Sequence, residues 1–375
     1  LENKVSLTKT ESYNLETLRF SLQRLISNLG GWNKFLNPGE TVLLKPNLLS
    51  ARTPDRGVTT HSALMYVLAE SLLEFGAIPS IGDSPGGAYR GVERVLNNTG
   101  MKEVADKLGL ETINFEASSA RIVRKNGITL YITKALENFD RVISISKLKT
   151  HSLMLYTGAI KNLFGCIPGF RKSEYHKMYP LPTQFGEMLV ALFGEIDVDL
   201  HIMDAVVGME GNGPASGDLR DVGLLLASKD GVALDRVAEH IVGIKAGQSV
   251  TTKMAANQGL GCGNLDRIEI TGENLRDCIL DEPFKLPPKL PERLIPAWMI
   301  RMFAPLIWVR PAPMEEKCTR CGVCAQNCPV NAITMHGKEL PDYNYKKCIT
   351  CLCCHELCPE DAIELEMSWL AKKVR

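Results

Sequence analysis

Residues 41–84, TVLLKPNLLSARTPDRGVTTHSALMYVLAESLLEFGAIPSIGDS, decide the fold class. TVLL is a compact apolar run, SALMYVLAESLLEFGA repeats its apolar residues at helical spacing, and IPSI is apolar again. Ser62 stands where a helix cap belongs and Gly76 where a helix stops. The stretch reads as strand, helix, strand: a βαβ unit whose right-handed crossover makes the strands parallel. The alternation continues. GVERVLNNTGMKEVADKLGL reads as helix, ETINF as strand, RIVRKNGITLYIT as a hairpin turning at Asn126-Gly127, and DRVISIS as a buried strand. Then come a helix in QFGEMLVALFGEI, strands in DLHIMDAVV and VGLLLAS, a helix in GVALDRVAEHIVG and a strand in DRIEITG. The expected fold is an α/β domain over residues 1–282 with a mainly parallel sheet flanked by helices.

The chain has 375 residues, room for one large domain and a small one. Lys plus Arg and Asp plus Glu number 43 each, so no global charge draws this chain to nucleic acid. No run reaches the ~18 apolar residues of a membrane span, and the first residues lack a secretory h-region. A cytoplasmic protein is expected, with its natural start left open because residue 1 is Leu.

Residues 283–313 hold eight prolines and read as a linker. Five basic residues stand there against Glu292, a composition that also suits a membrane surface. The prolines break any long amphipathic helix, which favours packing across the large domain instead.

Eight of the twelve cysteines form two copies of one pattern in residues 314–375: CTRCGVCAQNCP and CITCLCCHELCP. Each reads C-x2-C-x2-C-x3-C-P, in which three thiolates hold one 4Fe-4S cube and the fourth reaches the other. Cys318, Cys321, Cys324 and Cys358 are assigned to one cluster, and Cys348, Cys351, Cys354 and Cys328 to the second. Zinc would leave the doubled cysteine-proline pattern without a purpose. Cys353 reads as a small buried residue or as a stand-in for Cys354. The region resembles bacterial-type two-cluster ferredoxins, a small α+β fold that carries electrons.

In open α/β sheets, ligands sit beyond the carboxyl ends of strands. The loops there are unusual in this sequence: Lys45-Pro46-Asn47 after TVLL, Asp83 and Ser84 in GDSPGG, and Glu210 and Asn212 in GMEGNGPASG. Neither glycine-rich loop fits the dinucleotide pattern. After DRVISIS comes KLKTHSLMLYTGAIKNLFGCIPGFRKSEYHK. On an extended strand Lys147, Lys149 and His151 share one face, suited to an anion with a proton carrier beside it. Lys161 and Asn162 follow near a helix end, then Cys166, a possible nucleophile or ligand to a further organic or metal cofactor, and His176. His61 either caps or precedes its helix. Asp204, Asp230 and Asp235 read as turn, cap or structural carboxylates.

KPN at 45–47, KLKTHS at 147–152, GAIKNLFG at 158–165, MEGNGP at 209–214 and ALDRVAEHIVG at 233–243 resemble the family called domain of unknown function 362. That resemblance implies an α/β core, a frequent fusion to a two-cluster ferredoxin and a suspected redox role.

Two readings follow. In the first, the chain is an iron–sulfur oxidoreductase taking electrons from a partner protein to an anionic small molecule. Lys45, Asn47, Lys147, Lys149, Asn162, Asp83, Ser84, Glu210 and Asn212 would bind it; His151, His176, Cys166 and Lys161 would act on it. In the second, the chain is a non-catalytic electron carrier or assembly protein whose large domain docks another enzyme.

Overall fold

The structure is a computed structural model that describes residues 3–86, 91–169, 171–287 and 308–369. Most of the linker, and with it most of the proposed membrane contact, lies outside the described residues.

The first strand is β1 (Lys4–Lys9), followed by helix α1 (Leu15–Ser27). The deciding stretch gives β2 (Thr41–Lys45), α2 (Ser62–Phe75) and β3 (Ile78–Asp83), and β2 and β3 pair in parallel as expected. Ser62 and His61 both stood as candidate caps of α2. His61 is the N-cap, its Nδ1 accepting from the Ala63 N–H at 3.1 Å, while Ser62 is the first helical residue. Gly76 closes the helix at φ 93°, a left-handed conformation that only glycine adopts without strain.

The next expected helix is two, α3 (Val92–Asn98) and α4 (Met101–Leu108), because Gly100 breaks the run at φ 75°. β4 (Thr112–Asn114), β5 (Ala120–Lys125) and β6 (Ile128–Thr133) follow, with Asn126 and Gly127 both at positive φ in the hairpin turn. β7 (Arg141–His151) runs straight through KLKTH, and the short return β8 (Leu155–Thr157) pairs back on it. Helices α5 (Ala159–Asn162), α6 (Arg171–Met178) and α7 (Pro182–Phe193) lead to β9 (Leu200–Glu210) and β10 (Asp218–Ser228). After these come α8 (Gly231–Ile241), α9 (Val250–Asn257) and β11 (Glu269–Gly272).

Among the described residues one nine-stranded sheet has the order β11-β1-β10-β9-β7-β2-β3-β4, with β8 beside β7. The run β9-β7-β2-β3-β4 is parallel throughout, and β10 is antiparallel to both β9 and β1. Strand alternation feeds two layers. Val42, Leu44, Ile143 and Ile145 pack with α1 and α2, whereas Leu43 and Val142 pack with α7 and the β5–β6 hairpin. Burial on both faces explains why these strands read as continuous apolar runs.

The tail adds β12 (Val309–Pro313), β13 (Ile333–Thr334), β14 (Asp342–Tyr343) and β15 (Ile363–Met367), with short helices Val323–Gln326 and Cys353–Leu357. Residues 309–313, expected as linker, pair antiparallel with β15. Pro311 and Pro313 fit because the ladder bonds nearby fall on the other parity, at Trp308 and Met314.

Arg52 fastens the tail to the sheet. Its side chain is 3% exposed and donates to Ala215 O at 2.7 Å, Asp361 Oδ2 at 2.6 Å and the Cys358 carbonyl. Arg56 reaches the same Asp361 oxygen from an exposed position. Arg52→Met is expected to cost about 3 kcal/mol in denaturant unfolding, since charge-assisted buried bonds are lost, whereas Arg56→Met costs under about 1 kcal/mol.

Candidate functional site

The carboxyl end of β7 meets the helix Cys353–Leu357 around a cavity of about 100 Å³. From the large domain come Asn47, Asp83, Ser84, Lys161, Asn162 and Phe164, together with Lys172 and His176. From the tail come Asn327, Cys353, Glu356 and Leu357. Asn327 precedes Cys328 and Cys353 precedes Cys354, so this wall is built from neighbours of the second cysteine set.

Most of the expected cations are already committed. Lys45 Nζ lies 2.9 Å from Asp83 Oδ1, and both side chains are buried. The other Asp83 oxygen accepts from Leu48 N at 2.9 Å. A Cβ at Gly165 would strike this pair, which fixes glycine there. Lys147 pairs with Asp204 at 3.0 Å and donates to the Tyr13 hydroxyl at 2.6 Å, under the stacked rings of Tyr13 and His61. Lys149 donates to Asn47 Oδ1 at 2.8 Å and to the Val58 carbonyl, and burial holds its pKa well below the ordinary lysine range. Expected as ligand-binding groups, these three lysines each have a partner within the protein and stand as buried struts.

Asn162 ties Ser144 Oγ at 2.9 Å and accepts from Asn47 at 3.2 Å, so it braces the cavity it lines. Cys166 is fully buried in the layer under α7, and burial pushes its thiol up to about 12, which disfavours the thiolate that a nucleophile needs. Glu210 holds the chain at residue 285, accepting from Lys285 N at 3.2 Å. Asn212 lines a separate opening beside His355 and Asp361. Neither lies in the Lys161 cavity.

Lys161 remains. Its ammonium makes no hydrogen bond or ion pair among the described residues; it sits 5.9 Å from the Phe164 ring centre. Burial lowers its pKa, and Glu356 opposes that shift. The helix α5 that carries it is held by Asp235, whose two oxygens accept from Ala159 N at 2.6 Å and Ile160 N at 3.1 Å. A Cβ at Gly158 would collide with that carboxylate.

His176 stacks on Phe185 at 4.3 Å, and its Nδ1 is buried with no partner among the described residues. Burial, then Lys161, lowers its pKa to about 3, so the ring is neutral. His151 does not line the cavity. Its Nδ1 accepts from Leu153 N at 3.1 Å and Met154 N at 3.2 Å, which places the ring proton on Nε2, 3.3 Å from Glu356 Oε1. His151 thus stands behind Glu356 without hydrogen-bonding it, and burial pushes the Glu356 carboxyl up to about 7 against Lys161 and Lys149.

Lys172 was absent from the sequence reading. It donates to Ser84 O at 2.7 Å and to Ser84 Oγ, with Glu116 at 3.7 Å. Its spacing of four from His176 on α6 was the available signal. Glu356 carried no such signal, because only docking brings it to Lys161.

The tail fits iron–sulfur chemistry on its own geometry. Cys318, Cys321, Cys324 and Cys358 line one pocket, the set assigned from spacing. The two motifs repeat their backbone at an interval of thirty: Arg320 and Thr350, Gly322 and Leu352, Asn331 and Asp361 all take positive φ. Backbone N–H groups of Ala332, Thr350 and Ala362 donate to the sulfurs of Cys328, Cys348 and Cys358. Such bonds favour thiolates.

The profile of the family described as Domain of unknown function (DUF362) matches residues 42–240. The chain belongs to that family. A 4Fe-4S binding domain profile matches residues 311–334, so this DUF362 chain carries an iron–sulfur module. It is 37% identical over 295 residues to the thylakoid-associated protein sll1697 of Synechocystis sp. (strain ATCC 27184 / PCC 6803 / Kazusa), covering 78% of this chain and 89% of that protein. A structural neighbour is the lactate racemase apoprotein of Thermoanaerobacterium thermosaccharolyticum, at 11% identity and TM-score 0.44, over 65% of this chain and 58% of that one. No described helix is long and apolar enough to cross a membrane.

Lys45→Met should behave as a core defect. Leaving Asp83 buried without its cation is expected to cost about 3–5 kcal/mol in denaturant unfolding, with no small-molecule ligand needed to see the loss.

Proposed function

We propose that this DUF362 chain is an iron–sulfur oxidoreductase that delivers electrons to a small anion held in the Lys161 cavity. The observation that carries this reading is the cavity wall formed by Asn327 and Cys353, each adjacent to a ligand of the second cysteine set. Two 4Fe-4S clusters, held by Cys318, Cys321, Cys324 and Cys358 and by Cys348, Cys351, Cys354 and Cys328, supply one-electron transfer when bound. Cys321 is exposed on the first set, which suits entry from an electron-donor protein.

The chain's own residues do the rest. Lys161, with no other partner among the described residues, holds the anionic group. His176 offers an uncommitted ring nitrogen beside it, and Phe164 and Leu357 exclude water. Reduction of a polarised double bond consumes two electrons from the donor protein and two protons from solvent. A small carboxylate bearing a conjugated carbonyl or C=C bond matches both the charge and the cavity.

Chemically reduced protein, mixed anaerobically with a panel of such carboxylates, is expected to be reoxidised by at least one of them. Lys161→Met should slow that reoxidation at least about tenfold, the scale of one lost charge-assisted bond, with iron and sulfide content unchanged. Reoxidation by none of them, or at the same rate in the variant, rules the reading out.

A further inference from the structure

A second pocket, of about 350 Å³, opens between α8, α9 and the loop 259–267 and shares no lining residue with the Lys161 cavity. At its base is Arg236, only 7% exposed. Its Nη1 is buried without a hydrogen-bond partner among the described residues. The carboxyl group beside it forms a long ion pair and no hydrogen bond: Glu239 Oε2 is 3.9 Å away.

Glu239 is occupied elsewhere. Its Oε1 accepts from Thr252 Oγ1 at 2.5 Å, and burial pushes its carboxyl up to about 8. Asp230, under the loop, is spent on Val232 N and Ala233 N at 2.9 Å each and on Cys262 N at 2.7 Å. Lys253 and Arg267 stand exposed at the rim, in no ion pair among the described residues. The pocket thus gathers three cations, and the one carboxyl group paired with any of them among the described residues is Glu239, which stands 3.9 Å from Arg236. A buried guanidinium left without an acceptor is costly, and proteins keep one where a ligand completes it.

We propose that this pocket binds a phosphate group, with Arg236 at its base and Lys253 and Arg267 at its mouth. A guanidinium fork matches two phosphate oxygens, and the rim cations meet the second negative charge. The volume admits more than inorganic phosphate, so the group belongs either to a phosphate monoester or to the free ion.

Thermal unfolding of the full chain, titrated with inorganic phosphate and in parallel with glycerol 3-phosphate, tests this. The melting temperature is expected to rise saturably, and tighter binding of the ester than of the free ion identifies a monoester as the ligand. Arg236→Met and the double variant Lys253→Ala/Arg267→Ala should each weaken binding at least about tenfold. Without phosphate, Arg236→Met should melt at or above the wild type, because it removes a buried guanidinium whose one ion pair is too long to hydrogen-bond. Lys161→Met should bind phosphate as the wild type does, which keeps this result separate from the fate of the first cavity. No rise with either ligand, or unchanged binding in the rim double variant, overturns the proposal, as does loss of binding in Lys161→Met.

Discussion

The guanidinium of Arg52 is nearly sealed from solvent, and its bonds to the Cys358 carbonyl and the Asp361 carboxylate fix where the tail lies. A desolvated cation tolerates little misplacement of its acceptors. Ser216 holds the other Asp361 oxygen at 2.6 Å, so the β9–β10 connection is drawn into the same clasp. With Cys358 anchored, the preceding helix Cys353–Leu357 is laid against the end of β7, where Glu356 meets His151 and faces Lys161. The cavity exists because of that docking.

Charge is distributed along the sheet with a clear division. At the strand ends Lys45 is matched by Asp83 and Lys147 by Asp204 with Tyr13, and Lys149 is held by neutral oxygens. These pairs position the loops at the strand ends and are saturated. Lys161 sits on a short helix held from below by Asp235, and it alone of the four is left facing space. A cavity with one uncommitted ammonium, a neutral imidazole and a carboxyl group offers a ligand one charge-assisted contact.

Much of the fold was legible in the sequence. The βαβ unit of residues 41–84 and the Asn126-Gly127 hairpin depend on local periodicity and turn chemistry and appear as written, whereas the strand expected in DRVISIS runs on through KLKTH. The site was less legible. Lys147 and Lys149 share a face as alternation requires, but their partners Asp204 and Asn47 come from other strand ends, and no local pattern announces a buried pair. His61 illustrates the same limit at one residue: the sequence leaves both Ser62 and His61 open as the cap, and the structure uses the His61 ring nitrogen. Glu356 and Asn327 lie between or beside cysteines, and their place in the cavity follows only from the Arg52 clasp.

Native mass spectrometry of the anaerobically purified chain tests the central claim most directly. The account predicts one small anion retained per chain, above the mass of protein with its iron and sulfide, and its absence from Lys161→Met carrying the same iron and sulfide. A wild type without any retained anion, or an identical adduct in both proteins, would contradict it.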